Sequence, residues 1–314
     1  MKKGIVVLSL FDGMSCGQIA FDKLGIKFDS YNERERESNL YFASEIKTHA
    51  IKTTQHNYPN TIQIGDVTKV SYKDGILYTE NGKYNVGKID YLIGGSPCQN
   101  FSQLNAQNGL QTGLEGEKSK LFYEYLRLKN EINPTYFLLE NVKMKKESKI
   151  ELDEYLKTEG FFINAIDFSY QSRPRYYWTN IDFNKNYVPK NVNFQNYKDT
   201  DFEYCDKFKL NKTTSREQMW NNGLGTIKGE RRACANITYA NKIACVTTKQ
   251  DRSPNSGLIA HGNFCRFLTQ RELELAQTVP IGYTNCISYN QACNLLGDGW
   301  CVDVIVHLLK NSIK

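Results

Sequence analysis

The stretch Gly94-Gly95-Ser96-Pro97-Cys98-Gln99 places one thiol on a proline-stiffened turn directly after the apolar run Ile89 to Ile93. Proline fixes φ and removes a donor, and the paired glycines let a substrate approach the backbone closely. A cysteine so placed can act as a nucleophile. Glu140-Asn141-Val142 follows a second apolar run, Tyr136 to Leu139, and brings a carboxylate to a comparable strand end. Gln171-Ser172-Arg173-Pro174-Arg175 presents two guanidiniums at alternate positions, on one face if the segment is extended. A thiol beside a carboxylic acid suits a ring that must be protonated as it is attacked. An arginine pair can hold a carbonyl oxygen, or clamp a carboxylate or phosphate. Taken singly, an isolated cysteine is most often a small buried hydrophobe, and Arg-x-Arg a surface ion pair.

A second constellation reads as a nucleoside site. Phe11-Asp12-Gly13-Met14-Ser15-Cys16-Gly17 is a glycine-bearing turn without the G-x-G-x-x-G spacing of a dinucleotide cradle. Glu45 ends the next strand-like segment, where a carboxylate can accept ribose hydroxyls, and Asp66 follows a third, where it can accept from an adenine amino group. Glycine turn, Glu and Asp in that order describe an adenosine site with no phosphate cradle, which S-adenosylmethionine fits better than NAD or ATP.

The elements that position these groups alternate as in a parallel sheet wrapped by helices, an α/β class. Strands are expected at Ile5 to Phe11, Tyr41 to Ile46, Thr61 to Ile64, Ile89 to Ile93 and Tyr136 to Leu139. Helices are expected at Gln18 to Leu24 and Ser119 to Ile132, the latter with Leu121, Phe122, Tyr125, Leu126 and Leu128 on a broad apolar face. Phe161 to Phe168 and Tyr176 to Thr179 could form an antiparallel pair. From about Ile181 to Phe264 the alternation fades into a small irregular lobe with short β-like runs such as Ile243 to Thr247. Helical pattern returns at Leu268 to Thr278 and Asp298 to Leu309. Three parts are therefore expected: 1–180, catalytic and cofactor-binding; 181–264, target recognition; 265–314, a return to the catalytic domain. The run Asn32 to Asn39 reads as a solvated helical or disordered excursion without assigned function.

The chain has 314 residues, 40% hydrophobic, enough for a substantial core. No apolar run approaches membrane-spanning length, and Ile5 to Phe11 is too short for a signal peptide, so a cytoplasmic location is expected. Nine cysteines without a C-x-x-C pair read as reduced thiols, and four scattered histidines argue against a structural zinc or other metal site. Net charge is +6, and its placement matters more than its size. Between Asp206 and Arg252 ten Lys and Arg face four acids, so one segment carries the whole excess, interleaved with Trp220, Tyr239 and many polar residues. That pattern suits a nucleic-acid surface, or an ordinary solvated loop region.

Taken together, these pieces resemble the DNA cytosine-5 methyltransferase family, in prokaryotic or phage form. The matching motifs run in the family's order over nearly the whole chain: Phe11-Asp12-Gly13 with Gly17, Glu45, Asp66-Val67, Gly95-Ser96-Pro97-Cys98-Gln99, Glu140-Asn141-Val142 and Gln171-Ser172-Arg173-Pro174-Arg175. They continue with Leu268-Thr269-Gln270-Arg271-Glu272, Gln277-Thr278-Val279-Pro280 and Leu296-Gly297-Asp298-Gly299-Trp300. Several motif forms look most like the catalytic domains of vertebrate de novo methyltransferases, whereas the Asn-, Lys- and Ile-rich composition suggests an AT-rich bacterium or its phage. The chain departs from the family at Leu275, where most relatives carry arginine, at Thr278 and Val279, and at Asp298.

The resemblance implies a Rossmann-like S-adenosylmethionine-dependent sheet with a small irregular target-recognition lobe. It implies that Cys98 adds to carbon 6 of a flipped-out cytosine in duplex DNA while Glu140 bonds or protonates ring nitrogen 3 and Arg175, supported by Arg173, holds the exocyclic oxygen. It assigns the cofactor to Phe11, Asp12, Gly13, Ser15, Gly17, Glu45, Ile46, Asp66, Val67, Pro97, Asp298, Gly299 and Trp300. Gln99, Ser102, Thr247, Thr248 and Arg252 fall where the family contacts DNA. S-adenosylhomocysteine would be the product, and the protein a monomer, with or without a separately encoded restriction enzyme as its pair. Two alternatives remain open: the tRNA-methylating branch of the family, whose recognition region is usually short, and a catalytically dead nucleic-acid-binding relative.

Overall fold

The structure, a computed structural model, describes residues 4–32, 37–96, 120–221 and 235–313. Pro97, Cys98, Gln99 and Ser102 lie outside the described residues, as do 33–36 of the charged run and Lys228, Arg231 and Arg232 of the basic segment.

Contacts group the chain into two compact units, one of Met1–Ile163, Pro174–Lys185 and Ile305–Lys314, the other of Asn164–Arg173 and Asn186–Val304. The first is built on a sheet that contains β1 (Val6–Leu10), β2 (Leu40–Ser44), β3 (Ile62–Gln63), β7 (Tyr91–Gly95), β8 (Tyr136–Val142), β9 (Phe161–Asn164) and β10 (Pro174–Thr179). Their order is β3-β2-β1-β7-β8-β10-β9. The β1/β2, β2/β3, β1/β7 and β7/β8 pairs are parallel and β8/β10 is antiparallel. Every residue of β1 and β2 is buried, as strands covered on both faces require. Among the crossovers, α1 (Cys16–Lys23) and α2 (Thr48–Asn57) flank the early strands, and the helix Lys120–Ile132 buries Phe122, Tyr125, Leu128 and Ile132 along one stripe.

This topology does the positioning. Four parallel strands, β1, β2, β7 and β8, end on one edge, and the strand order reverses beside β1, with β2 and β3 added on one side and β7 and β8 on the other. Ligands bind outside such carboxyl ends, at the switch point. Because β10 is antiparallel, its beginning reaches the same edge, with Arg175 opposite Val142 and Tyr177 opposite Glu140.

Two elements differ from the sequence expectation. The strand at Phe161 stops at Asn164, whose side chain accepts from the Ile166 N–H and caps a 3-10 turn over Ala165–Asp167. The helix expected from Asp298 is broken: one helix, Tyr289–Asp298, ends there and another, Val302–Leu309, begins after three intervening residues. The Gly299 carbonyl between them accepts from Arg173 and Gln277 side chains, so that turn is held out of helical pairing. A further three-stranded antiparallel meander, β4 (Ser71–Lys73), β5 (Ile76–Thr79) and β6 (Gly82–Asn85), follows Asp66 without a distinct sequence signal. Tyr289–Ser312 as a whole has the length and mean hydropathy, 1.3, of a membrane span, contrary to expectation, but 61% of its most apolar window is buried within the protein, as in core helices.

Candidate active site

The turn after β1 is conformationally costly. Phe11 (φ 56°) and Ser15 (φ 59°) both lie in the left-handed region, with Gly13 (φ 59°) between them. Non-glycine residues held there cost on the order of 1–3 kcal/mol each and persist only where surrounding contacts over-determine them. Those contacts are visible. The Asp12 carboxylate accepts from the Ser15 hydroxyl and from the Tyr41 hydroxyl at 2.8 Å, and the Asp12 N–H donates to the Ser44 carbonyl at 3.1 Å. Burial pushes the Asp12 carboxyl up to about 6, against the pull of its hydroxyl partners.

Glu45 sits one residue beyond β2. Its Oε1 accepts the Ile46 and Lys47 N–H groups at 2.7 and 2.8 Å, and its Oε2 accepts the Gly13 N–H at 2.9 Å. A carboxylate offers about four lone-pair sites, so Oε2 retains capacity for one further donor rather than for a whole diol. Among the described residues beyond its chain neighbours, nothing stands within 4 Å of where a Gly13 Cβ would lie. Ile46, 71% exposed, offers an apolar surface immediately beside Glu45. Asp66 caps a 3-10 turn by accepting the Thr68 N–H at 2.9 Å, with Val67 buried behind it. Its own N–H donates to Glu80 Oε1 at 2.8 Å, and Glu80 also pairs with Lys69. The meander that carries Glu80 thus props the Asp66 loop. A glycine-bearing turn, a carboxylate with spare acceptor capacity and an apolar shelf fit an adenosine moiety.

At the other end of the same edge, Arg175 Nε meets Glu140 Oε1 at 2.7 Å, both side chains largely buried. A guanidinium carries five donors in a rigid fork, so it can orient this carboxylate and present N–H groups to a substrate oxygen. Asn141 Nδ2 donates to Ser96 Oγ at 3.1 Å and thereby ties β8 to the turn that leads to Pro97 and Cys98. Arg173 behaves differently. It is 3% exposed, and its guanidinium donates to the carbonyls of Val246 (3.1 Å), Gly297 (2.9 Å) and Gly299 (2.8 Å). Alternate spacing suggested a common face, but the strand begins only at Pro174.

Around Arg173 the second unit forms a buried polar web. Gln171 Nε2 donates to the Ala276 carbonyl and to Gln277 Oε1, while Gln171 Oε1 accepts the Val246 N–H. Gln277 in turn donates to the Leu296 and Gly299 carbonyls. These contacts hold the approach to Thr247 and Thr248 against the end of Tyr289–Asp298. A Cβ on Gly297 would fall 2.2 Å from Thr248 N and 2.3 Å from Thr247 C, so only glycine permits the approach. Gly297→Ala is expected to cost roughly 1–3 kcal/mol by overpacking against backbone, read as a lower urea midpoint. A change within about 0.5 kcal/mol, the usual scatter of neutral substitutions, would contradict it. Arg252 is exposed and pairs with Asp251 at 2.8 Å; Asp298 is exposed, and Gly299 and Trp300 are half-buried.

The model of the C-5 cytosine-specific DNA methylase family matches residues 5–314. The chain belongs to that family. The curated relatives it resembles are named methyltransferases, and the chain spans about a quarter of the length of the phage relatives it matches. Type II methyltransferase M.DsaV of Dactylococcopsis salina is 26% identical, over 97% of this chain and 84% of the relative. The orphan methyltransferase M.Rho11sI of Bacillus phage rho11s is 32% identical over 44% of this chain, a match that spans 23% of the phage protein. In fold, the chain is similar to an S. pombe Dnmt2 methyltransferase (TM-score 0.69, 16% identity, 99% of this chain and 100% of that one). Entamoeba histolytica methyltransferase EhMeth is also similar (TM-score 0.61, 16% identity, 99% and 98%).

The motif residues Asn141, Gln171 and Gln277 were given no role by sequence reasoning, although each lay within a quoted motif. Tyr41, Thr54 and Glu80 were missed altogether. A polar side chain inside an apolar strand, as at Tyr41, was the available signal; for Glu80 there was none.

Proposed function

We propose that this methyltransferase moves a methyl group from S-adenosylmethionine to carbon 5 of a flipped-out cytosine in a specific duplex DNA sequence, through a covalent Cys98 adduct. The observation that carries the reading is the Glu140–Arg175 pair at 2.7 Å on the strand edge where Ser96 leads toward Cys98. Cys98 adds as thiolate to carbon 6. Glu140 donates a hydrogen bond or proton to ring nitrogen 3 and so takes up the charge that the addition creates. Arg175 orients Glu140 and holds the exocyclic oxygen; Arg173 positions the backbone around Val246 and Gly299. Bound S-adenosylmethionine supplies an electrophilic methyl group. A base, water in this reading, takes the carbon 5 proton; the electron pair left behind closes the ring double bond and expels the Cys98 thiolate, and ring nitrogen 3 returns its proton to Glu140. A free thiol has a pKa of about 8.5, so the site must favour the thiolate, and extruding the base costs a few kcal/mol.

In this reading Phe11 stacks on the adenine, Glu45 takes one ribose hydroxyl beside Ile46, and Asp66 and Val67 read the adenine edge. Asp12, Gly13, Ser15 and Gly17 form the turn, Pro97 adjoins the methyl, and Asp298, Gly299 and Trp300 serve the methionine end. Gln99, Ser102, Thr247, Thr248 and Arg252 contact DNA. Residues 1–180 and 265–314 carry catalysis and 181–264 recognition, with Arg252 exchanging Asp251 for a phosphate. The names of its type II and phage relatives support a bacterial or phage DNA modification role in the cytoplasm, with or without a separately encoded restriction enzyme, the protein acting as a monomer.

Bisulfite sequencing of a plasmid that expresses the protein in a methylation-free host, beside Cys98→Ala, tests this. Methylated cytosines in one recurring context, absent from the variant, are expected. Soluble protein that methylates tRNA and leaves the plasmid unmodified would place it in the RNA-directed branch, and methylation that survives Cys98→Ala would overturn the covalent mechanism.

A further inference from the structure

The contacts that over-determine the strained turn come from residues that no motif includes. Tyr41 on β2 is completely buried, yet its hydroxyl reaches Asp12 Oδ1 at 2.8 Å. On the other side Thr54 of α2, also completely buried, donates to Ser15 Oγ at 3.3 Å, and Ser15 in turn donates to Asp12 Oδ2. A chain of hydroxyls therefore runs from α2 through Ser15 and Asp12 to β2, beneath the turn that presents Phe11 and Gly13. Space has been cleared for it. A Cβ on Gly17 would lie 2.8 Å from the Tyr41 hydroxyl and 2.4 Å from Ile93 Cδ1, so the glycine that opens α1 is where the phenol passes. Buried polar networks of this kind rigidify when every member is satisfied and fail when one is removed.

We infer that Tyr41 and Thr54 are positioning residues for the cofactor: they act through Asp12 and Ser15 to hold the Phe11–Ser15 turn in its binding-competent, left-handed conformation. The inference rests on the cofactor reading above. It also makes the turn sensitive to pH in a defined direction. A carboxylate is acceptor-only and takes both hydroxyl bonds; a protonated Asp12 gives up acceptor capacity and must rearrange one. The groups facing Asp12 are the hydroxyls of Ser9, Ser15 and Tyr41 and the like-charged Glu45, with Cys16 close to the Tyr41 hydroxyl. The carboxylate form prevails above its pKa of about 6, so affinity for the cofactor is full there and declines as pH falls through that value. The Tyr41 bond lowers that pKa, so its removal moves the midpoint upward.

The test is calorimetric binding of S-adenosylhomocysteine to the full chain between pH 5 and pH 8, with no DNA and no turnover. Tyr41→Phe is expected to bind about tenfold more weakly at neutral pH, the low end for losing a hydrogen bond to a charged group, with its midpoint displaced upward. Asp12→Asn should show no inflection near pH 6. Thr54→Val, nearly the same shape without the hydroxyl, guards against a misfolded Tyr41→Phe and is expected to weaken binding in the same sense by a smaller factor. Tyr41→Phe and Thr54→Val that both match wild-type affinity and midpoint would overturn the inference while leaving the cofactor reading intact. A folded wild-type chain that binds no S-adenosylhomocysteine at any pH would overturn that reading, and this inference with it.

Discussion

Glu140→Gln is expected to slow methyl transfer by roughly 10²–10⁴-fold, the range over which a positioned acid–base group acts, while S-adenosylhomocysteine binds as before. Glutamine keeps the shape of the side chain, but it cannot pass a proton to ring nitrogen 3 and it withdraws the carboxylate from Arg175 Nε, 2.7 Å away. The proposed cofactor residues of the same unit have their own partners: Glu45 is held by the Gly13, Ile46 and Lys47 N–H groups, and Asp66 by Thr68 and Glu80. Arg175→Lys should lose much of the same rate, because an ammonium is a point charge and cannot reproduce the fork that grips one oxygen while serving another. Transfer of a radiolabelled methyl group to plasmid DNA in a single turnover gives the rate, and calorimetry the cofactor affinity. A Glu140→Gln enzyme within threefold of wild type would remove the carboxylate from the chemistry.

Arg266→Met is expected to cost about 3–5 kcal/mol of stability, the usual result of stripping one partner from a buried ion pair. Arg266 and Glu272 are 2% and 0% exposed, and join through two bonds of 2.7 and 2.8 Å. Burial opposes the Arg266 charge, yet the Glu272 hydrogen bonds hold its pKa above the ordinary arginine value. Glu272 also accepts the Thr269 and Asp199 N–H groups, closing the capping box that starts the helix Gln270–Ala276. The lone methionine variant would leave that carboxylate buried without a counter-charge. Arg266→Met with Glu272→Gln keeps one of the two N–H acceptors, removes the charge and should recover part of the loss. Urea unfolding of the two single variants and the double variant closes the cycle. Additivity of the two single losses would show that the pair does not couple.

Much of the candidate site was legible because its chemistry is local and ordered along the chain. A buried apolar run followed by a glycine turn must deliver that turn to a sheet edge, and Asp12, Glu45, Asp66 and Glu140 each follow or end such a run. Element ends were less legible, since side-chain capping sets them. Asn164 stops β9 early, and the Arg173 and Gln277 bonds to the Gly299 carbonyl interrupt what reads as one helix from Asp298.

The sequence by itself determined the family, the α/β class and the motif residues, because hydrophobic period and motif order are one-dimensional properties. The tertiary structure alone decided how the two arginines divide. Residues 173 and 175 are a single proline apart, yet Arg175 enters β10 opposite β8 and finds Glu140, whereas Arg173 stays outside the strand and donates to three backbone carbonyls. The Tyr41 bond to Asp12 and the Glu80 bond to the Asp66 loop were decided in the same way. Each joins residues from separate elements, 29 and 14 positions apart, and spacing along a chain carries no information about which side chains a folded sheet brings within 3 Å.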